Sequence, residues 1–280
     1  MTAATFDDPH QPEFASWRSY HNFARHVRQT RRYIPDEQTQ AFLDTVLATR
    51  GDRDVALPKG KILYRAQRGI DMLERHDQQG GLICEEPVGF GAERMRPRQN
   101  RAAEGRINPA GIPVLYLVTP EQTAISEVRP WIGSEISVAQ FELLRGVRML
   151  NLAVNHGKSP AMQLTFGELL NETPVPPDKK TKLVWTDIDN AFSCPVTLSD
   201  DTADYVPTQI LAELFRSAGY DGVIYRSQFG QKGHNLALFN AADAEPINCA
   251  PYRVTAIDVK FEEMGNAWFS AKHLQAKKKT

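Results

Sequence analysis

Four side chains break the local pattern around them, and their types point to an anion. Arg65 lies on the strand-like stretch Ile62-Leu63-Tyr64-Arg65-Ala66, on the face it shares with Leu63, where a guanidinium needs a carboxylate or phosphate partner to be tolerated. Arg106 follows Gly105 and precedes Ile107-Asn108-Pro109, at the mouth of an apolar run rather than on a charged helix. Tyr116 stands inside that run, where its hydroxyl must find a partner. Glu127 lies at the edge of the apolar stripe that Ala124, Val128 and Trp131 form at helical spacing. One carboxylate, two arginines and a tyrosine at strand ends and helix edges compose a site for an anionic ligand. Each also has a structural reading. Glu127 can be a rim carboxylate, Arg65 can pair with Glu127 or an aspartate purely for the fold, Tyr116 can be packing, and Ser227 can be a turn residue before Gly230.

These residues need elements to hold them. Ile112–Val118 is apolar on both faces apart from Pro113, which predicts a strand buried on both sides. Thr119-Pro120-Glu121-Gln122 predicts a helix start, with Thr119 as N-cap, Pro120 at N1 and Gln122 closing a capping box, and the helix running to about Trp131. Strands are expected at 136–141, 147–154, 223–227, 235–240 and 254–261. A helix opened by Pro207 carries Ile210, Leu211, Leu214 and Phe215 as one stripe, with Gly219 as its C′ residue. Residues 1–58 are read as a helical N-terminal extension, with one helix from Trp17 to Tyr33 rich in arginine and a second from Pro35 to about Thr49. Residues 59–262 form the main domain, interrupted by a polar insertion around 155–204, and 263–280 are a basic tail. Within the insertion a helix is expected at 161–170. Trp185–Asp204, with five aspartates and no base, reads as a solvated loop.

Composition excludes several classes. The 280 residues hold 33 Lys+Arg against 34 Asp+Glu, so a dedicated nucleic-acid binder, usually basic overall, is not indicated and any basic function must be local. Locally, Gly91–Arg106 is a basic loop, whereas the arginines of the first helix read either as a solvated face or as a surface for an acidic partner. Cys84, Cys194 and Cys249 have no CxxC spacing, so neither a disulfide framework nor a zinc site is expected, and a reducing, cytoplasmic setting is the simplest reading. No stretch approaches about 18 consecutive apolar residues, and Asp7-Asp8-Pro9 stands where an export signal would need an apolar core. HExxH, GxxxxGK[ST] and GxSxG are absent, and Gly89-Phe90-Gly91 lacks the third glycine of a dinucleotide fingerprint.

The ordered set of short strings is more specific than any one of them. Leu63-Tyr64-Arg65-Ala66, Gly105–Pro109, Gly111–Leu117, Thr123-Ala124 with Glu127–Pro130, Pro207-Thr208-Gln209, Gly219–Ser227 and Asn235–Phe239 together resemble the RES domain family, over roughly residues 60–260. The Arg, Glu and Ser that name the family match Arg65 or Arg106, Glu127 and Ser227. The resemblance implies an α+β fold like that of ADP-ribosyltransferases, a split, twisted sheet with flanking helices around an NAD cleft. It implies an enzyme that consumes NAD by hydrolysis or phosphorolysis, as the toxin of a bacterial toxin–antitoxin pair. NAD is then substrate rather than cofactor, inorganic phosphate a potential co-substrate, and the partner an antitoxin with a helix-turn-helix domain. On this basis Glu127, Arg65 and Ser227 are the expected catalytic residues, and Arg65, Arg106, Tyr116, Ser227 and Asn235 the expected NAD contacts. Some members of the family are instead considered transferases of ADP-ribose to a macromolecule, and a non-enzymatic binding module is a third reading. The 1–58 and 155–204 segments exceed a compact member of the family, which leaves room for a different regulator or a homo-oligomer contact.

Overall fold

The computed structural model describes residues 12–98, 101–193, 202–229, 233–258, 263 and 265. Its centre is a mixed sheet of β1 (Asp54–Leu57), β2 (Ile62–Arg68), β5 (Leu115–Val118), β6 (Glu135–Leu143), β7 (Val147–Asn151), β8 (Gly222–Arg226), β9 (His234–Leu238) and β10 (Ala244–Arg253), in the order β1-β7-β8-β9-β5-β2-β6-β10. A separate hairpin, β3 (Asp71–His76) and β4 (Leu82–Val88), is exposed along nearly all its length. The sheet is split. Its neighbours pair over three to nine residues everywhere except between β2 and β5, which meet only at Tyr64 and Val118. Two halves thus diverge from one point of contact, with Arg65 next to that point on one side and Tyr116 on the other.

Period-2 alternation sends the central strands' side chains to two cores. Val223, Tyr225 and Ala237 face a layer of helices, α1 (Ser19–Gln29), α2 (Glu37–Ala48), α6 (Pro177–Ser193) and α7 (Val206–Ser217). Ile224, Leu236 and Leu238 face the other way, onto Leu63, Phe141 and Met149 with Phe90 and Met95 from around the short α3 (Ala92–Met95). On α1, Tyr20, Phe23, Ala24 and Val27 are buried at i, i+3, i+4 and i+7, the spacing of one helical face. Asp36 sets the start of α2 by accepting a bond from Thr39 N, so the helix begins after the expected Pro35. Residues of both helices therefore share a core with α6 and α7, and β1 extends the sheet.

Four expectations are corrected. Of the solvated loop expected over 185–204, residues 185–193 are the second half of α6 with Asp187 and Asp189 buried, Thr202–Tyr205 is a 3-10 turn, and 194–201 lie outside the described residues. Charge density misled because Asp189 has a buried partner from far along the chain: Arg53 grips it bidentately at 2.7 and 3.1 Å while stacking over Trp185. In 161–170 a 3-10 turn at Ala161–Gln163 precedes only the short α5 (Phe166–Leu169), started by a Thr165/Glu168 capping box. The strand that opens at 112 in the sequence begins only at Leu115, after Pro113. The last described strand is β10, ending at Arg253, rather than one beginning at Val254; residues 259–262 and, apart from 263 and 265, the basic tail expected over 263–280 lie outside the described residues. β10 escaped notice because it forms an edge, so its residues are mostly exposed and Pro246 and Pro251 interrupt the alternation.

Candidate active site

Glu127 is the last residue of α4 (Glu121–Glu127), which packs across β2, β5 and β6 through buried Thr123 and Ala124. The helix differs at both ends from the sequence expectation. Pro120 is its N-cap, and Thr119 bonds elsewhere, its Oγ1 accepting from His234 N at 3.2 Å. Its end at Glu127 leaves Trp131 off the stripe and 78% exposed. Gly233, just before β9, lies so close to α4 that a Cβ there would come within 2.3 Å of Thr123 Oγ1. That close approach brings Glu127 to the other half of the sheet.

There the carboxylate is held by neutral donors. Glu127 Oε1 accepts from Ser227 Oγ at 2.6 Å and from Asn235 Nδ2 at 2.8 Å, contacts 100 and 108 residues apart in sequence. Ser227 is itself fixed, its N–H donating to Gly233 O at 3.2 Å and its Oγ accepting from Phe229 N at 3.1 Å. Among the described residues no cation pairs with Glu127, and both of these bonds fall on Oε1.

Arg65 lies at the split. Its Nη1 donates to Tyr116 O at 3.1 Å, so a side chain satisfies a carbonyl next to the place where ladder pairing between β2 and β5 stops. Its Nε is buried without a partner, and no carboxylate pairs with it among the described residues. Burial, partly opposed by Tyr116, holds its pKa below the usual guanidinium value.

Tyr116 bridges strand and loop. Its hydroxyl donates to Asn108 Oδ1 at 2.7 Å and accepts from Ile107 N at 3.1 Å, and burial raises its pKa above the ordinary phenol range. Gly105 must be glycine for this packing, since a Cβ would stand 2.7 Å from that hydroxyl. α7 anchors the same loop: Thr208 Oγ1 donates to Arg106 O at 2.8 Å, and Gln209 Nε2 lies at 2.9 and 3.1 Å from the carbonyls of Gly105 and Asn108. Arg106 Nη1 donates to Ala191 O of α6, with its guanidinium 5.9 Å from the Tyr205 ring. The basic stretch 91–106, expected as a loop, opens with the helical turn α3, and its Arg94 is committed elsewhere, lying 3.3 Å over Phe90 and 3.5 Å from Asp71.

The sequence-expected residues therefore fall into linked groups. Glu127, Ser227 and Asn235 touch directly, Arg65 touches the Tyr116 backbone, and Arg106 joins them through the loop that Tyr116 closes. Tyr225 was missed. It is 7% exposed on β8, and burial above all raises the pKa of its hydroxyl, with Tyr116 and Glu127 adding to the rise and Arg106 opposing it. Its signal in the sequence was slight, a tyrosine inside an apolar strand, as with Tyr116. Asn108 and Gln209, the polar groups that fix the loop, were also overlooked as functional, although Gln209 interrupts an apolar helix face. Among the described residues no group of three or more His, Cys, Asp or Glu side chains suits a metal ion, and no helix is long and apolar enough to cross a membrane.

A family model described as the RES domain matches residues 87–260, more than half of the chain. No curated protein matches it. Among solved structures, one described as the crystal structure of the M. tuberculosis MbcT–MbcA toxin–antitoxin complex is similar at 13% identity, covering 74% of this chain and 92% of that one, with a TM-score of 0.34. That likeness is too weak to define a shared arrangement.

Proposed function

This chain belongs to the RES domain family, and from that membership we propose that it cleaves the nicotinamide–ribose bond of NAD, by hydrolysis or phosphorolysis, as the toxin of a bacterial toxin–antitoxin pair. The observation that carries the reading is the charge arrangement among the described residues: a guanidinium at the split of the sheet with no carboxylate of its own, and a carboxylate held by a hydroxyl and by the amide of Asn235, which pairs with Val118 beside that split. A fold-supporting bridge would pair the two, and among the described residues they make no such pair. That favours an enzyme over the structural reading of Arg65 and Glu127.

The chemistry needs little more. The nicotinamide ring of NAD is already cationic, so when the C1′–N bond breaks the electron pair goes to the ring nitrogen and neutral nicotinamide leaves without an acid. The ribose passes through an oxocarbenium-like state. In our reading Glu127 stabilises that positive charge and orients the incoming water or phosphate, whose oxygen forms the new bond to C1′. Ser227 and Asn235 aim the carboxylate and fix the nicotinamide or ribose, Arg65 and Arg106 grip the pyrophosphate, and Tyr116 packs against the ribose or nicotinamide.

The test is nicotinamide release from NAD by the purified protein, with and without inorganic phosphate. Release is expected, and Glu127→Gln, which keeps the shape and removes the charge, should slow it by about 10²–10³-fold. NAD left intact with every acceptor would overturn the proposal. Label from NAD appearing on a protein or nucleic acid instead of on free ADP-ribose or its phosphate would favour the transferase alternative. The reading also expects an antitoxin with a helix-turn-helix domain, tested by whether co-expression of such a neighbour restores growth.

A further inference from the structure

The carboxylate proposed to act on NAD sits at an awkward place, the last residue of a seven-residue helix. A helix end frays, and its unpaired carbonyls carry the negative pole of the helix dipole beside the carboxylate. One side chain answers both difficulties. Arg68, at the end of β2 three residues after Arg65, donates from Nε to Val128 O at 2.7 Å and from Nη2 to Arg129 O at 2.6 Å. Those are the two carbonyls directly after Glu127, and the planar guanidinium brings a positive charge to the negative end of α4.

The turn it grips is unusual. Arg129 has φ +47°, a left-handed conformation that a residue with a Cβ adopts at a cost. That turn carries the Arg129 guanidinium to 4.9 Å from the Phe229 ring, and Phe229 N donates to Ser227 Oγ, which in turn donates to Glu127. The contacts close a ring: β2 through Arg68 to the end of α4, through Arg129 and Phe229 to Ser227, and back to Glu127.

We infer that Arg68 is a positioning residue, which clamps the left-handed turn after α4 and so holds the Glu127 carboxylate, through Arg129 and Phe229 as well as through the helix, in register with Ser227. This rests on the proposed NAD-cleaving role of Glu127. Arg68 itself is exposed and is assigned no contact with substrate.

The experiment compares wild type, Arg68→Ala and Arg68→Lys in two measurements on the full chain. The first is steady-state NAD turnover. Both variants should lose about 10- to 100-fold in kcat with KM within twofold, the cost of a misplaced group, and lysine should not rescue because a single ammonium does not bridge two carbonyls in the guanidinium geometry. The second is amide exchange at Arg129, whose N–H bonds Ser126 O at 3.0 Å and which should open at least tenfold faster in both variants while the thermal midpoint stays unchanged. A kcat within twofold of wild type, a loss confined to KM, a loss that follows the thermal midpoint, or unchanged exchange at Arg129 would each overturn the inference. Wild type inert toward NAD would instead remove the functional reading, and the exchange measurement would then decide by itself whether Arg68 holds the turn.

Discussion

A guanidinium that contributed only to the fold would have its charge matched inside the protein. Arg53 is such a case, closed on Asp189 by two bonds, whereas among the described residues Arg65 has one bond to a neutral carbonyl and a buried Nε without a partner. The contrast yields a prediction at the residue scale. Replacing Arg65 with Met removes an uncompensated charge from the split and leaves an apolar stem, so thermal stability should hold or rise while NAD turnover falls at least tenfold. A melting scan beside the nicotinamide assay reads both, and a variant that loses stability first would return Arg65 to a structural role. At this scale the sequence was most informative: a charged residue on an apolar strand face and a carboxylate at a helix edge are local anomalies, visible without coordinates. What it left open was whom they touch. Arg65 as partner of Glu127 was a fair alternative, and only the fold shows Glu127 facing Ser227 and Asn235 instead.

At the scale of elements, α6 holds the longest-range surprise. Its acidic second half looks like solvated loop in the sequence, yet Asp189 is 0% exposed, bonded by Arg53 from before β1 and by Asn155 N at 2.9 Å. The same helix offers Ala191 O to Arg106, so the polar insertion contributes to the wall behind an expected NAD contact. Asp189→Asn leaves the Arg53 charge buried and should cost about 3–5 kcal/mol, measured as a lowered urea midpoint with unchanged slope. Replacing the pair together, Arg53→Met with Asp189→Leu, should cost less than either single change, because no charge is then left unpaired. Helix α7 was legible for the opposite reason: Leu211, Ala212 and Phe215 are buried along one stripe and Gly219, with φ +84°, ends it. Periodicity reports helices that bury apolar residues. In α6 the same signal is present, with Val184, Trp185, Ile188 and Phe192 buried at helical spacing, but the aspartates interleaved with it read as solvated until Arg53 is seen to satisfy Asp189.

For the whole molecule, the family match begins at residue 87, yet packing begins far earlier. α1 buries Tyr20, Phe23 and Val27 in the core shared with α6 and α7, each worth roughly 1.5–3 kcal/mol when fully buried, and β1 covers the edge of β7. A chain begun at residue 59 would expose that core face and the β7 edge together. It is expected to lose cooperative unfolding or to aggregate, checked by a thermal melt and light scattering against the full chain, and a well-folded, monomeric truncation would show the first 58 residues to be dispensable. By itself the sequence determined the α+β class, the family resemblance, most central strands and the residue types of the candidate site, because those rest on local patterns of two to four residues and on short ordered motifs. Tertiary structure alone decided that the sheet splits where β2 and β5 meet only at Tyr64 and Val118, that Glu127 crosses to Ser227 and Asn235, and that Arg65 meets Tyr116 O and no carboxylate among the described residues. The physical reason is distance along the chain: each of these facts joins groups about 50 to 110 residues apart, and no window on the sequence spans a contact that only the closing of the sheet creates.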